Sequence, residues 1–351
     1  MRRVAKLSAA CLATAALALS ATACGSTSSE NNASSPSSSG GKGVKIGLAY
    51  DVGGRGDRSF NDSAARGADK AEKEFSGSIK ELTAKSSDTP ADREQRLTDL
   101  AQAGYSPIIA VGYTYAPAVA KVAKQFPKTS FGLIDAVVEG NNVDNITFTE
   151  EQGSYLAGVA AALKTKKDHV GFIGGVDSPL IKKFEAGYVQ GVKDTNPKIK
   201  VDTQYLSHGS DTSGFASPDK GKEAAQGMLD NGADVVYSAA GSSGNGAIEA
   251  VNGVKGAWAI GVDSDQYNIP GLAKYKNSIL TSMVKNVDVG VYDFVKSVHD
   301  GKPLTGTNSY SLAKGGVSLS TSGGFIDDIQ AKLDAAKKKI VDGSIKVKTT
   351  P

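Results

Sequence analysis

The stretch Asp51-Val-Gly-Gly-Arg-Gly-Asp-Arg-Ser-Phe-Asn61 gathers two carboxylates, a glycine-rich turn, an aromatic ring and an amide. A glycine loop ahead of a helix can cradle phosphate on its backbone N–H groups. This one lacks the Lys-Ser/Thr of a P-loop and the G-x-G-x-x-G spacing of a dinucleotide site, so a plain turn competes with that reading. What sets it apart is its continuation, which puts Phe60 and Asn61 at a helix start on the side where strands end. Taken alone, Phe60 reads as core. Elsewhere, Gly241-Ser-Ser-Gly244 is not G-x-S-x-G, and no His and Asp can be assigned to Ser242 or Ser243 as a hydrolase triad. His169, His208 and His299 are scattered without ligand spacing, so neither a metal nor another cofactor is expected. The only cysteines, Cys11 and Cys24, precede the body, which removes disulfides, thiolate metal sites and cysteine nucleophiles from it.

These residues need a frame, and the apolar pattern supplies one. Residues 44–50 read as a buried strand, followed by the glycine loop and a helix over 59–75. The order repeats with helices at 91–103 and 115–126 and strands at 107–111 and 130–134. A second series runs through a helix at 155–163, a strand at 169–173, a helix at 179–194 and a strand at 200–206. It continues through a helix at 220–231, strands at 233–238 and 258–262, and a short helix opening from 241–246 between them. Two α/β series of about 100 residues each imply two domains with parallel sheets and helices on both faces. The cleft at the carboxyl ends of their strands is the expected ligand site.

Length and composition agree. The 351 residues are 40% hydrophobic and 22% charged, too apolar for a disordered chain; 41 glycines without a triplet period and only 11 prolines exclude collagen-like and Pro-rich architectures. Arg2, Arg3 and Lys6 account for the net charge of +3, because the remaining 37 basic side chains are matched by 37 acidic ones. A neutral body offers no footprint for nucleic acid. Residues 1–23 read as a secretory leader: three cations, then an uncharged stretch from Leu7 to Ala23. Ser20-Ala-Thr-Ala-Cys24-Gly25 resembles a bacterial lipobox, with Ser20 or Ala21 where leucine is usual, so Cys24 is the expected lipidation site and the protein is expected on the extracytoplasmic face of the cell membrane. Cleavage at Ala23 with an incidental Cys24 is the plainer alternative. Arg2-Arg3 without a hydrophobic follow-up leaves Sec and Tat export both open. Residues 24–43 form a Ser/Gly-rich tether, with eight serines between Gly25 and Gly43. No later stretch approaches a spanning helix of roughly 18 apolar residues, so a soluble body is expected.

Together, the Asp51 to Asn61 stretch, Glu151-Gln-Gly-Ser-Tyr-Leu-Ala-Gly158, Phe184-Glu-Ala-Gly187, Gly261-Val-Asp-Ser-Asp-Gln266 and Thr281-Ser-Met-Val-Lys285 resemble the basic membrane protein family of lipoproteins. These are nucleoside-binding components of ABC importers. The resemblance spans about 44–341. It implies a type I periplasmic-binding-protein fold: two Rossmann-like lobes, joined by three crossovers, that close on a nucleoside, expected to be a purine one. Lobe one would take 44–148 and about 280–304, lobe two 149–279 and about 305–345.

Carried over by motif, Phe60 and Phe184 would stack on the two faces of the base, and Asn61 and Asp135 would address its edge. Asp263 and Lys285 would hold the ribose and neutralise each other, with Asp51 and the backbone around Gly241 nearby. Without the resemblance, Asp263 reads as a strand-end cap and Lys285 as a surface cation. The glycine loop departs from relatives that carry more acids there, which leaves the base preference open. Glu151 to Gly158 reads as a close-packing helix, Trp258 as core, and the Lys-rich 327–341 helix as a solvated face. Implied partners are the nucleoside, ABC permease subunits and, through Cys24, the membrane; a monomer is expected. A nucleoside-sensing receptor would share every one of these residues. A nucleoside hydrolase would need an aspartate cluster of the D-x-D-x-x-x-D-D kind, which is absent, and a transcriptional ligand-binding core is opposed by the leader.

Overall fold

The computed structural model describes residues 43–351; the leader, Cys24 and the tether up to residue 42 lie outside the described residues. The first lobe opens with β1 (Lys45–Tyr50), α1 (Phe60–Glu74), β2 (Ser78–Thr83), α2 (Pro90–Gln102), β3 (Ile108–Ala110), α3 (Ala116–Gln125), β4 (Phe131–Ile134) and β5 (Val143–Phe148). The second carries α4 (Glu150–Lys164), β6 (His169–Asp177), α5 (Pro179–Thr195), β7 (Lys200–His208), α6 (Pro218–Asp230), β8 (Val235–Ala239), α7 (Ser243–Asn252), β9 (Trp258–Asp263) and β10 (Ile279–Lys285). The chain then returns to the first lobe for α8 (Val287–His299) and β11 (Gly306–Tyr310), and ends in the second with β12 (Val317–Leu319) and α9 (Gln330–Val341).

The strand orders are β11-β5-β4-β3-β1-β2 and β12-β10-β9-β8-β6-β7. Every pairing is parallel except β10 with β12. Strands covered by helices on both faces must be apolar throughout, which is why β1, β3, β4 and β8 are buried along nearly their whole length. The edge strand β2 holds only two apolar residues, Ile79 and Leu82, around a Lys-Glu pair and is half-exposed, which hid it from a reading based on apolar runs. Thr89 and Asp92 close a reciprocal capping box at the start of α2, with Pro90 in its first turn.

The lobe boundaries differ from expectation. β10 pairs with β9, so 279–285 belongs to the second lobe; β11 pairs with β5, so 306–310 belongs to the first. The crossovers therefore fall at Thr149, Asn286 and Ser311. All three lie on one edge of the molecule, beside β5, β10, β11 and β12.

Helices α4 and α5 touch backbone to backbone. A Cβ on Gly158, Gly187 or Gly191 would lie 2.1 Å from a carbonyl oxygen of the facing helix, so only glycine fits. The Glu151–Gly158 segment is thus a packing surface, as its small residues suggested. Among the described residues, no helix is long and apolar enough to cross a membrane.

Candidate ligand-binding site

A cavity lies at the carboxyl ends of the strands of both sheets. The strand ends deliver the residues: Asp51 and Asp135 directly after β1 and β4, Gly241 two residues after β8, and Asp263 and Lys285 as the last residues of β9 and β10. Phe60 and Asn61 come from the first turn of α1, and Phe184 from α5. All eight residues singled out by sequence line this one cavity. Asp135 and Asp263 both adopt left-handed backbone, with φ of 67° and 63°. Aspartate tolerates that region better than most residues, and strain of this kind gathers where a side chain must be aimed.

Lys285 is 2% exposed, and its Nζ donates to Asp135 Oδ2 at 2.6 Å. Glu150 Oε1 stands 3.9 Å away. The ammonium also lies 4.7, 5.3 and 5.6 Å from the ring centres of Phe60, Phe148 and Phe184, so the two candidate stacking rings face one cation. Burial disfavours the charge on Lys285, but Asp135, Asp263 and Glu150 outweigh it and hold its pKa above the ordinary lysine value. The expected partner of Lys285 was Asp263. The structure corrects this: the short ion pair is with Asp135, and Asp263 Oδ2 instead accepts a hydrogen bond from Ser59 Oγ at 2.7 Å.

Burial raises the carboxyl of Asp263, with Lys285 opposing, and lifts Asp51 to about 6. Glu150 is pushed up to about 7 by burial, with Lys285 again opposing. One oxygen of Asp135, Oδ1, is buried without a hydrogen-bond partner, whereas Glu150 Oε2 faces the ammonium of Lys183 at 3.5 Å. An acceptor left idle on a cavity wall, as Asp135 Oδ1 is, is a place for a ligand donor.

Asn61 also departs from expectation. Its Oδ1 accepts from Asp51 N at 3.2 Å, and its Nδ2 donates to Val52 O at 3.2 Å and Asp57 Oδ2 at 3.0 Å. The amide is consumed in shaping the loop that carries Asp51, and has no free donor for a base edge. Asp57 completes that loop by accepting from the backbone N–H of Ser59, Asn61 and Asp62; burial still lifts its pKa to about 6.

Sequence reasoning missed Asp57, Tyr113, Leu180, Ile181 and Phe215 of the lining. Asp57 was visible in the motif but had no assigned role; Phe215 sits in a Gly/Ser-rich loop with no periodicity to betray it. Glu150 precedes a segment read as packing alone. Among the described residues, no three His, Cys, Asp or Glu side chains converge as a metal set.

Residues 44–350 match the sequence profile of the Bmp family, described as ABC transporter substrate-binding protein, PnrA-like. The chain belongs to the Bmp family. A relative from Lactococcus lactis subsp. cremoris, named ABC transporter nucleoside-binding protein BmpA, is 36% identical over 90% of this chain and 92% of its own. A Pyrococcus abyssi protein named as an uncharacterized lipoprotein is 36% identical over 79% of this chain and 69% of its own. Among solved structures, an ABC transporter solute-binding protein from Aeropyrum pernix K1 superposes with a TM-score of 0.76 at 29% identity, covering 87% of this chain and 93% of that one. The fold is accordingly that of type I periplasmic solute-binding proteins. This Bmp-family chain is a substrate-binding protein of an ABC transporter, not an enzyme, and its working partners are a ligand and a permease.

Proposed function

We propose that this Bmp-family protein captures a nucleoside, of the purine class, between its lobes and hands it to an ABC permease while anchored through acylated Cys24 on the outer face of the membrane. The observation that carries the reading is the lining of the cavity: four aromatic rings, Phe60 and Phe184 among them, and four aspartates around a single ammonium that is already paired. Rings suit the two π faces of a base. Carboxylates accept from hydroxyls and N–H groups, and their excess over the one cation repels phosphate, so the fit is to a neutral, donor-rich, aromatic solute.

In this reading Phe60 and Phe184 hold the base, the idle Asp135 Oδ1 accepts from its edge, and Asp263, Lys285 and Asp51 address the ribose with the Gly241 backbone nearby. Asn61 acts through the loop it braces. Ligand selects the closed form because only there do both lobes touch it. The name of the Lactococcus lactis relative supports the nucleoside, and that of the Pyrococcus abyssi relative supports the anchor.

The test is thermal unfolding of the chain carrying Cys24→Ser, unfolded and refolded to remove bound solute, against nucleosides, free bases, ribose, other sugars and amino acids. A nucleoside at one hundred times its Kd should add about 2.7 kcal/mol of stability. A shift with inosine, guanosine or adenosine, recovered intact, supports the reading. A shift with sugars or amino acids alone refutes it. For the anchor, Cys24→Ser should move the protein from the membrane to the soluble fraction.

A further inference from the structure

Three successive backbone carbonyls at the entrance to α1 each receive a side-chain donor from the opposite lobe. Asn245 Nδ2 donates to Asp57 O at 3.0 Å, Gln266 Nε2 to Arg58 O at 3.0 Å, and Ser264 Oγ to Ser59 O at 2.8 Å. Ser59 answers in the other direction, its Oγ donating to Asp263 Oδ2. Ser59, Ser264 and Gln266 are buried. Asn245, Ser264, Gln266 and Ser59 are all absent from the cavity lining, so the seam closes without using a ligand atom.

Its position matters as much as its bonds. The seam follows β1, three strands from β5 in the order β5-β4-β3-β1, which at about 4.8 Å per strand is roughly 14 Å from the edge where the crossovers run. A rotation about that edge displaces Ser59 far more than it displaces Asp135 and Lys285, which sit at the ends of β4 and β10 beside it. Opening therefore breaks the Ser59 seam first.

Resting on the nucleoside reading for its ligand, we infer that Asn245, Ser264, Gln266 and Ser59 form a ligand-independent latch that holds the lobes shut, and that Ser59 is a positioning residue that orients Asp263 only once the latch has closed. Half of the site's polar machinery in the second lobe is thus assembled by a hydroxyl from the first. The carboxylate keeps Oδ1 for the solute while Oδ2 is fixed by Ser59. Hydrogen bonds of this kind contribute about 1 kcal/mol each, enough to tilt an open–closed equilibrium by about fivefold per bond.

The test uses the full chain with Cys11→Ser and Cys24→Ser, so that nitroxides introduced by Lys85→Cys and Lys220→Cys are the only labels; both positions are exposed, one on each lobe. The ligand-stripped chain should show a short inter-label distance that lengthens when Asn245→Ala and Ser264→Ala are added. With the nucleoside the unsubstituted chain binds best, the double variant should release it about tenfold faster, and its association should be no slower, because the open form that admits solute is more populated. Ser59→Ala, which leaves the three carbonyl bonds in place, should also speed release, and serves if the double variant folds poorly. An unchanged distance distribution, or unchanged release in both variants, overturns the latch. A chain that binds no nucleoside sinks the preceding reading instead, and the ligand-free distances then judge the latch alone.

Discussion

Asp135 and Asp263 stand at the same place in the two lobes. Each stands at the carboxyl end of the fourth strand in the shared sheet order counted from the β2 or β7 edge, and each has left-handed backbone. Each is also partnered from across the cleft, yet the partners differ. Asp135 receives an ammonium from Lys285, one residue before a crossover; Asp263 receives a hydroxyl from Ser59, far from any crossover. Two copies of one architecture thus aim equivalent carboxylates into a shared cavity, and the division of labour comes from what the opposite lobe supplies. The charged contact at the hinge side is structural and persists; the neutral contact at the mouth forms and breaks with closure.

The harshest way to break this comparison is Lys285→Met. It leaves Asp135 buried without its counter-charge and Glu150 with Lys183 alone, and urea denaturation should show a loss of about 3–5 kcal/mol. Asp263→Asn should leave stability within about 1 kcal/mol, since the amide oxygen still accepts from Ser59, but titration calorimetry should show affinity reduced on the order of 100-fold, about 2–3 kcal/mol. Similar stability losses in the two variants would erase the distinction between hinge and mouth.

A smaller effect sharpens the role of the rings. Phe184→Leu retains most of the buried volume and should cost stability less than about 1.5 kcal/mol, while affinity falls about tenfold as one π face is lost. The smallest concerns Asp51. Its folded pKa of about 6 lies above the ordinary carboxylate value near 4, so the folded state binds the proton more tightly, and stability from this group declines as pH rises from about 4 through 6. Asp51→Asn should therefore stabilise the ligand-free protein relative to the parent by on the order of 1 kcal/mol at pH 7.5, with the advantage gone at pH 4. Nucleoside affinity of the parent should weaken as pH falls below about 6, where the acceptor is protonated.

Much of this was legible in the sequence, and the remainder was hidden for definite reasons. Buried parallel strands such as β1 and β4 announce themselves as unbroken apolar runs. The residues that line the cavity stand at the ends of such runs, in motifs whose order could be read. Partnership was not legible. Lys285 and Asp135 are 150 positions apart, and no local pattern states that a lysine leaving β10 meets a loop after β4 and not the carboxylate of neighbouring β9. Nor does the polarity of Asn61 disclose that its amide is consumed within its own loop. The assignment of β10 and β11 to opposite sheets is likewise set by register between distant strands, so the lobe boundary was misplaced by one strand.

The glycine contacts between α4 and α5 have a consequence for the speed and sharpness of capture. α4 begins at the first crossover, and α5, which carries Phe184, is fastened to it with no side chains between the backbones. The aromatic ring therefore travels as part of a stiff arm pivoted at Thr149, with its angle of approach set when the protein folds. Little rotamer or hinge-internal freedom is left to be frozen when the solute arrives, so closure has the character of a single-coordinate mechanical stroke, and a bulkier residue at Gly158, Gly187 or Gly191 would introduce play into that stroke without touching the cavity.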